Sequence, residues 1–335
     1  MAAMERLRDG SEPSRRPFAG GNVRWSLTDL PRRATTEPDP HKERDQGSSY
    51  RTLAQAAGVS IVDVSCRWHA GARMRERFQT FGLSVVRRGF FIRHTRQTDQ
   101  FADSTTAYFE QPGLEQWVSH PLAVPGSTTV IVLSDEAMVR YAGDLSMPDR
   151  PIPVARDVHL DHASLLADVR AGIDKAELDT RLAWLIGRLV ETSTPGRLTA
   201  RRPATARSHR RIVDHAREAI AANPAALDLK GLAAELGHTP FHVSRVFRRA
   251  TGTTLTQHRN EVRVAAAIDR LAQGDQRLAD LAAELGFADQ SHLARVLRRS
   301  VRLSPGRLRQ RLSVDDPILA LPSDNGVQDT EIRRS

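Results

Sequence analysis

Two stretches in the C-terminal third of the chain combine arginines with amide, hydroxyl and imidazole side chains at helical spacing. Outside their apolar stripes they present Phe241, His242, Ser244, Arg245, Arg248 and Arg249 in the first stretch, and Gln290, Ser291, His292, Arg295 and Arg298 in the second. A guanidinium can donate two hydrogen bonds to guanine, and a glutamine amide can pair with adenine in the same way. Later arginines on such a helix more often bind phosphate oxygens. These residue types indicate contacts with double-stranded DNA.

The same helical pattern precedes both stretches. Residues 229–237 read LKGLAAELG, and residues 278–286 read LADLAAELG. A few residues later come the basic amphipathic runs VSRVFRR and LARVLRR. A helix, a tight turn at a glycine and a second, basic helix together predict a helix-turn-helix. The sequence therefore predicts two copies of this motif, at 229–250 and at 278–300.

Local signals support both motifs. Thr239 is expected to cap the second helix of the first copy, with Pro240 at its first position. Asp289 is the expected cap in the second copy, whose turn is one residue longer. Gly237 and Gly286 stand where each turn needs a positive φ. The expected buried stripe of the first copy consists of Val243, Val246, Phe247 and Ala250.

Between the two copies, residues 254–273 predict a helix that stops at Gly274. About eighteen helical residues would span roughly 27 Å. A spacer of that length could hold the two basic helices about one DNA turn apart, which is roughly 34 Å. A helical bundle that binds protein instead of DNA is the alternative interpretation of these elements.

The distribution of charge favours DNA. The chain has a formal net charge of +9, and the segment 207–312 alone carries 19 Lys and Arg against 10 Asp and Glu. The whole positive excess therefore lies on the repeated segment, as expected for a surface that neutralises phosphates. A general preference for arginine on solvated surfaces is the alternative, but it would not confine the excess to one segment.

The N-terminal half has a different character. Short alternating or β-branched runs, separated by Gly, Pro and Asp, predict a β-barrel or sandwich. These runs occupy 60–66, 81–89, 90–96, 105–111 and 128–134. We divide the chain into a disordered segment at 1–48, a β domain at 49–155, a helical hairpin for dimerisation at 156–192 with a break at Gly172, a linker at 193–207, a helical DNA-binding domain at 208–312, and a disordered tail at 313–335.

Composition argues against several other classes of protein. Cys66 is the only cysteine, so no internal disulfide and no multi-cysteine zinc site is expected. Burial as a small apolar side chain is favoured for Cys66 over redox sensing or methyl acceptance. The N-terminus lacks an apolar signal segment, and no run of eighteen apolar residues is present. We expect a soluble, cytoplasmic protein that does not associate with membranes.

The two copies resemble the AraC/XylS family of bacterial transcription regulators. The resemblance is carried by LAAELGHTPFHVSRVFRRATGTT from Leu232, and by GFADQSHLARVLRR, which matches the family's second-copy signature, at 286–299. It implies two recognition helices that enter consecutive segments of the major groove, and activation through RNA polymerase. The family's base-contacting positions correspond to Phe241, Ser244, Arg245, Gln290, Ser291, His292 and Arg295.

The chain departs from the family pattern at four positions. Leu255 stands where the family usually has proline, and His258 stands where tyrosine is common. Arg302 replaces the glycine after the second recognition helix, and Leu297 replaces a phenylalanine. These positions lie at helix ends and in the core, so they affect the packing of the second copy and not its groove-facing residues.

The N-terminal half is similar to the cupin-like sensor domains that precede this DNA-binding unit in many family members. The matching stretches are VVRRGFFIRHTR and FEQPGLEQWVSHP. Cupin enzymes bind metal through histidines, but His69, His94 and His120 are scattered, and Gln116 stands where the second cupin motif offers a histidine. We expect no metal, no cofactor and no enzymatic activity.

A small-molecule effector pocket inside the barrel is compatible with the fold by analogy alone. Its aromatic candidates are expected to be core residues instead: Trp68, Phe91, Tyr108, Phe109 and Trp117. The sequence thus predicts a multi-domain regulator that binds promoter DNA, with a cupin-like β domain and an all-α domain of two helix-turn-helix motifs joined by a linker helix. A ligand- or protein-interaction module that does not bind DNA is the alternative. The oligomeric state, including a homodimer, stays open.

Overall fold

The computed structural model describes residues 22–25, 47–56, 58–96, 98–142, 147–193, 203–274 and 277–312. Most of the predicted disordered segment at 1–48, part of the predicted linker and the predicted tail at 313–335 lie outside this description. No helix among the described residues is long and apolar enough to cross a bilayer.

The N-terminal half is a sandwich of two β-sheets. Its strands are β1 (Asn22–Trp25), β2 (Gly47–Ala56), β3 (Val59–Arg67), β4 (Ala72–Phe78), β5 (Phe81–Arg88), β6 (Phe90–His94), β7 (Asp99–Asp103), β8 (Thr106–Glu110), β9 (Glu115–His120), β10 (Gly126–Leu133) and β11 (Ile152–Pro153). One sheet has the order β1-β4-β9-β6-β7, and the other has the order β11-β8-β5-β10-β3-β2. All pairs are antiparallel except β1 with β4. Each of the five runs named from the sequence lies on a strand.

Strand β1 corrects one prediction. Residues 22–25 belong to the segment predicted to be disordered, yet they pair in parallel with β4, from Asn22 opposite Arg75 to Trp25 opposite Phe78. The partner strand begins about fifty residues further along the chain. Strand pairing between segments so far apart in the chain has no local sequence pattern by which the four residues of β1 could have been recognised as a strand.

The alternation of side chains along the strands explains the layers. Ile131 and Leu133 of β10 face a core shared with helices, whereas Val130 and Val132 face the other sheet. Successive side chains of a strand point to opposite faces, and in β10 the side chains on both faces are buried. A strand that is covered on both faces shows this pattern. The six-stranded sheet is therefore the middle layer, between the five-stranded sheet and the helices.

Three helices cover that sheet: α1 (Asp135–Ala142), α2 (Arg156–Ala171) and α3 (Lys175–Thr192). As predicted, α2 and α3 form a hairpin that breaks at Gly172, which has a φ of 88°. The apolar stripe of α3, which includes Leu182, Leu185 and Ile186, is buried in the same core as the sheet. That stripe is covered by the chain itself, so it does not form a dimer contact, and dimerisation through this hairpin stays a prediction.

The C-terminal half is all-α. Its helices are α4 (Pro203–Ala222), α5 (Leu229–Glu235), α6 (Pro240–Thr251), α7 (Leu255–Ala272), α8 (Leu278–Glu284), α9 (Gln290–Val301) and α10 (Pro305–Leu312). Helix α4 begins at Pro203, inside the segment predicted to be a linker, and it packs on the first copy through Ile212, Ala216 and Ile220. The linker prediction is therefore wrong from residue 203 onward.

Helix α2 connects the two halves. Leu165 and Leu166 belong to the core of the β domain, whereas Leu160 and Ala163 belong to the core of the second helix-turn-helix. One helix thus contributes to two hydrophobic cores. Because burial of apolar surface is the main favourable contribution to folding, this sharing holds the domains together.

Three of the four departures from the family pattern are accommodated locally, whereas His258 lies 3.5 Å from Asp103 of the β domain. Leu255 is buried at the start of α7, where Thr254 and Gln257 form a capping box. Leu297 is fully buried in the second core. Arg302 ends α9 with a φ of 60°, the left-handed conformation that Gly252 adopts after α6 with a φ of 78°. Among the described non-glycine residues, Arg302 alone has a positive φ.

Replacing Arg302 by glycine is expected to stabilise the protein. The left-handed conformation costs an L-residue roughly 1–2 kcal/mol, and glycine avoids this cost. Glycine also increases the entropy of the unfolded chain, which offsets part of the stabilisation. We expect the free energy of unfolding to rise by about 0.5–1 kcal/mol, measured by urea denaturation. The matched variant Gly252→Ala should change stability in the opposite direction. A destabilised Arg302→Gly protein would contradict the assigned conformation.

Candidate nucleic-acid interface

The turn of the first copy has the geometry that its sequence predicted. Gly237 has a φ of 68°, and its N–H donates to Ala234 O at 3.0 Å, while His238 N donates to Ala233 O at 2.8 Å. Thr239 caps α6 by accepting a hydrogen bond from His242 N at 3.2 Å. Pro240 follows at the first helical position, where a missing N–H costs nothing.

The second copy repeats this geometry with one more residue in the turn. Gly286 has a φ of 70°, and Phe287 N donates to Ala282 O at 2.8 Å. Asp289 caps α9 by accepting from His292 N at 2.6 Å. The longer turn places the buried Phe287 ring in the second core, with the Arg263 guanidinium 5.2 Å from its centroid. The caps and turns predicted for both copies are confirmed.

The two turn glycines differ in their surroundings. A Cβ on Gly286 would lie 2.5 Å from Ala225 Cα and 2.6 Å from Ala225 O, whereas a Cβ on Gly237 would meet nothing within 4 Å. The two glycines have nearly the same positive φ, so backbone strain would be similar in both alanine variants. The variants therefore differ only in the close approach of Ala225, which precedes α5, to the second turn.

We expect Gly286→Ala to destabilise the protein by about 1–3 kcal/mol more than Gly237→Ala, because only the first substitution forces backbone apart. Urea denaturation of both variants provides the measurement, and the conformational strain common to both cancels in the comparison. Equal losses in the two variants would show that Ala225 does not pack against the second turn.

Every predicted DNA-contacting residue reaches solvent. Phe241, Arg245, Arg248, Arg249, Gln290, Ser291, Arg295 and Arg298 are exposed, and His242, Ser244 and His292 are partly exposed. Phe241 is 74% exposed, which is unusual for a large apolar side chain. In a major groove such a ring can contact a thymine methyl group. Whether these residues touch DNA stays a prediction.

Neighbouring contacts orient some of these side chains. The Arg245 guanidinium lies 5.9 Å from the centroid of the Phe241 ring, and the His242 ring lies 4.6 Å from that of His238. His292 packs edge-on against Phe287 at 5.4 Å. These contacts reduce the rotamer freedom that binding would otherwise have to remove.

The surface of both recognition helices is electropositive. Among the described residues, no carboxylate forms an ion pair with Arg245, Arg249, Arg295 or Arg298. Slight burial, and then the positive groups of His238, Arg245 and His209, lower the pKa of His242. His209 comes from α4 and lines a cleft with Arg245 and Arg249. Sequence patterns missed His209, because α4 lay in no predicted motif.

Ion pairs connect the β domain to the helices that support the recognition helices. The fully buried carboxylate of Asp103 accepts from Arg217 of α4 at 2.9 and 3.1 Å, and lies 3.5 Å from His258 Nε2 of α7. At the far end of α7, Asp269 accepts from Arg87 at 3.2 Å. The linker helix is therefore held at both ends by the β domain.

The interior of the β domain is polar at the position where cupins bind metal. Gln116 is buried and accepts from Arg93 at 2.9 Å, while its amide nitrogen donates to Glu76 at 2.6 Å. Because its amide oxygen and its amide nitrogen both form hydrogen bonds within the protein, Gln116 does not fit the role of a metal ligand. Within the described part of the chain, no group of three or more His, Cys, Asp or Glu residues could hold a metal ion.

The cavity between the two sheets has a volume of only about 30 Å³ and is lined in part by Phe91, Tyr108, Glu110 and His120. Burial, and also the nearby Glu76, raise the pKa of Glu110 to about 8, although Arg93 and the Ser84 hydroxyl oppose the shift. That volume holds roughly one or two waters. Phe91, Tyr108 and Phe109 are core residues, as predicted, whereas Trp68 is partly exposed and Trp117 is 44% exposed.

A family model described as a helix-turn-helix domain matches residues 232–311, which span both copies. This segment is an AraC-type DNA-binding domain. The chain is 29% identical over 90 residues to the bifunctional transcriptional activator/DNA repair enzyme AdaA of Bacillus subtilis, a match that covers 27% of this chain and 43% of AdaA. It is also 29% identical over 86 residues to the regulatory protein SoxS of Salmonella typhimurium, covering 26% of this chain and 80% of SoxS.

Among solved structures, ToxT from Vibrio cholerae aligns with 75% of this chain and 98% of its own, at 11% identity and a TM-score of 0.31. The chain spans less than half the length of AdaA. The sequence matches therefore concern the AraC-type domain alone. The arrangement of the β domain is given by its own strand pairing and core contacts.

Proposed function

We propose that the chain is a transcription regulator that binds promoter DNA by inserting α6 and α9 into successive segments of the major groove. The observation that carries this proposal is the pairing of two capped helices, each with an exposed arginine at its sixth residue and two more arginines in its last turn. None of Arg245, Arg249, Arg295 and Arg298 has an ion pair with a described carboxylate. The family match over both copies supports it. Helix α7, with 18 residues, would separate the two recognition helices by roughly 27 Å along its axis.

A mobility-shift assay with sheared genomic DNA at 50 and 200 mM salt tests the proposal. A protein that makes 6–10 phosphate contacts loses roughly 10³–10⁵-fold in affinity between these concentrations. We expect retardation at low salt and a steep loss at high salt. Absence of retardation at 50 mM would favour the alternative, an interaction module that no longer binds DNA.

Activation through RNA polymerase in the bacterial cytoplasm is our proposed mode of regulation, supported by the name of AdaA as a transcriptional activator. A small-molecule effector and a homodimer are further parts of this proposal. A reporter fused to the bound promoter should fall when the gene is deleted, and a rise would contradict activation.

We propose further that the chain lacks the repair chemistry named for AdaA. A methyl acceptor needs an activated thiolate, but burial raises the pKa of the Cys66 thiol. The hydrogen bond with Ser48 opposes this shift, and the Glu76 carboxylate adds to it. A thiol that stays protonated at neutral pH is a poor nucleophile. Transfer of a labelled methyl group from alkylated DNA to the protein would contradict this.

A further inference from the structure

A cleft of about 260 Å³ lies where strands β2, β3 and β5 meet the C-terminal ends of α2 and α7. Five arginines line this cleft: Arg51, Arg67, Arg87, Arg88 and Arg170. Asp63 is the one carboxylate among its described lining residues. The cleft therefore has a large local excess of positive charge in a part of the chain remote in sequence from the recognition helices.

Neutralisation inside the cleft is incomplete. Asp63 accepts from Arg51 at 2.9 Å and also pairs with Arg87, and Arg87 in addition donates to Asp269 at 3.2 Å. No described residue accepts a hydrogen bond from the side chains of Arg88 or Arg170. Burial lowers the pKa of Arg170, and the Asp63 carboxylate opposes this shift. The positive charges of Arg87 and Arg51 lower the pKa further, and the Asp269 carboxylate raises it.

The donors that remain have a chemistry that selects one class of ligand. A guanidinium presents a planar fork of N–H groups that matches the oxygens of carboxylates and phosphates. Ser127 also lines the cleft, and its buried hydroxyl has no partner among the described residues. Pockets for drug-sized molecules occupy roughly 300–1,000 Å³, so this cleft suits a smaller molecule.

We propose that this cleft binds a small anion with at least two negative charges on phosphate or carboxylate groups. Arg88 and Arg170 would bind its oxygens directly, and Arg87 would contact it while remaining paired with Asp269. Gln273, which ends α7, also lines the cleft. The ligand would therefore strengthen the contact between the β domain and the linker helix. Binding of the anion does not depend on the proposed function, because it needs no DNA.

Calorimetric titration of the full chain with inorganic pyrophosphate, and separately with citrate, tests the proposal at an ionic strength held constant with sodium chloride. We expect one binding site for at least one of the two anions. The double variant Arg88→Gln, Arg170→Gln should lose at least about tenfold in affinity, since each guanidinium contributes charge-assisted hydrogen bonds. The single variant Arg88→Gln should lose affinity to a smaller extent.

Two controls separate this site from other basic surfaces. The variant Arg73→Gln, Arg96→Gln removes the same charge from exposed positions of the β domain that do not line the cleft, and it should bind like the parent. The variant Arg245→Ala, Arg295→Ala should also keep anion binding while it binds its specific DNA site more weakly. The proposal is overturned if neither anion binds, if the cleft variants bind like the parent, or if the recognition-helix variant alone loses the anion.

Discussion

Replacing Arg245 and Arg295 together by alanine is expected to weaken binding to a specific DNA site by about 2–6 kcal/mol. Each arginine is the sixth residue of a 12-residue recognition helix, is exposed and has no ion pair with a described residue. A bidentate contact with guanine is worth about 1–3 kcal/mol. The two residues lie in separate copies and share no described contact, so their losses should be roughly additive.

The measurement is the ratio of specific to non-specific affinity at one fixed salt concentration. For the double variant this ratio should fall, because base readout is lost. Arg249→Ala should instead weaken both affinities alike, since we expect this later arginine to bind phosphate. Arg73→Ala, on the outer face of β4, should change neither affinity. If the double variant keeps the parent's ratio on every sequence, Arg245 and Arg295 do not read bases.

Much of this candidate interface could be predicted because its signals are local. Thr239 and Asp289 set helix starts by accepting hydrogen bonds from N–H groups three residues away, and Pro240 suits the first helical position. The glycine turns depend on one φ angle each. The resemblance supplied which exposed positions are expected to face the DNA groove. Neither source required knowledge of distant contacts. The turns, the caps and three of the four stripe residues of the first copy were predicted correctly, whereas Ala250 is only partly buried.

Long-range contacts could not be predicted in the same way. The pairing of β1 with β4 and the ion pair of Asp103 with Arg217, 114 residues apart, have no short-range pattern. The apolar stripe of α3 predicted a buried face but not its partner, which is the chain's own sheet. Gln116 is a further example. The sequence showed only that it stands where a cupin motif offers a histidine, whereas the structure shows that it binds Arg93 and Glu76.

The contact between the β domain and α4 makes a second large effect predictable. Replacing Asp103 by asparagine is expected to lower the free energy of unfolding by about 3 kcal/mol, because breaking a buried ion pair costs roughly 3–5 kcal/mol. The carboxylate is fully buried, and it accepts from Thr105 at 2.6 and 2.9 Å as well as from Arg217. The matched control Asp99→Asn removes a 72% exposed carboxylate from the same hairpin, and it should cost less than about 1 kcal/mol.

The pH dependence of this loss gives an independent check. Burial acts to raise the pKa of Asp103, but Arg217 and His258 outweigh it and hold the pKa well below its ordinary value of 3.8. A carboxyl whose pKa is depressed by folding stabilises the folded state above that ordinary value and loses this contribution as pH falls below it. The difference between parent and Asp103→Asn should therefore shrink as pH falls below about 4. Titratable groups that do not contact Asp103 cancel in this difference, so a gap that widens below pH 4 would mean that the folded protein holds Asp103 in its protonated form.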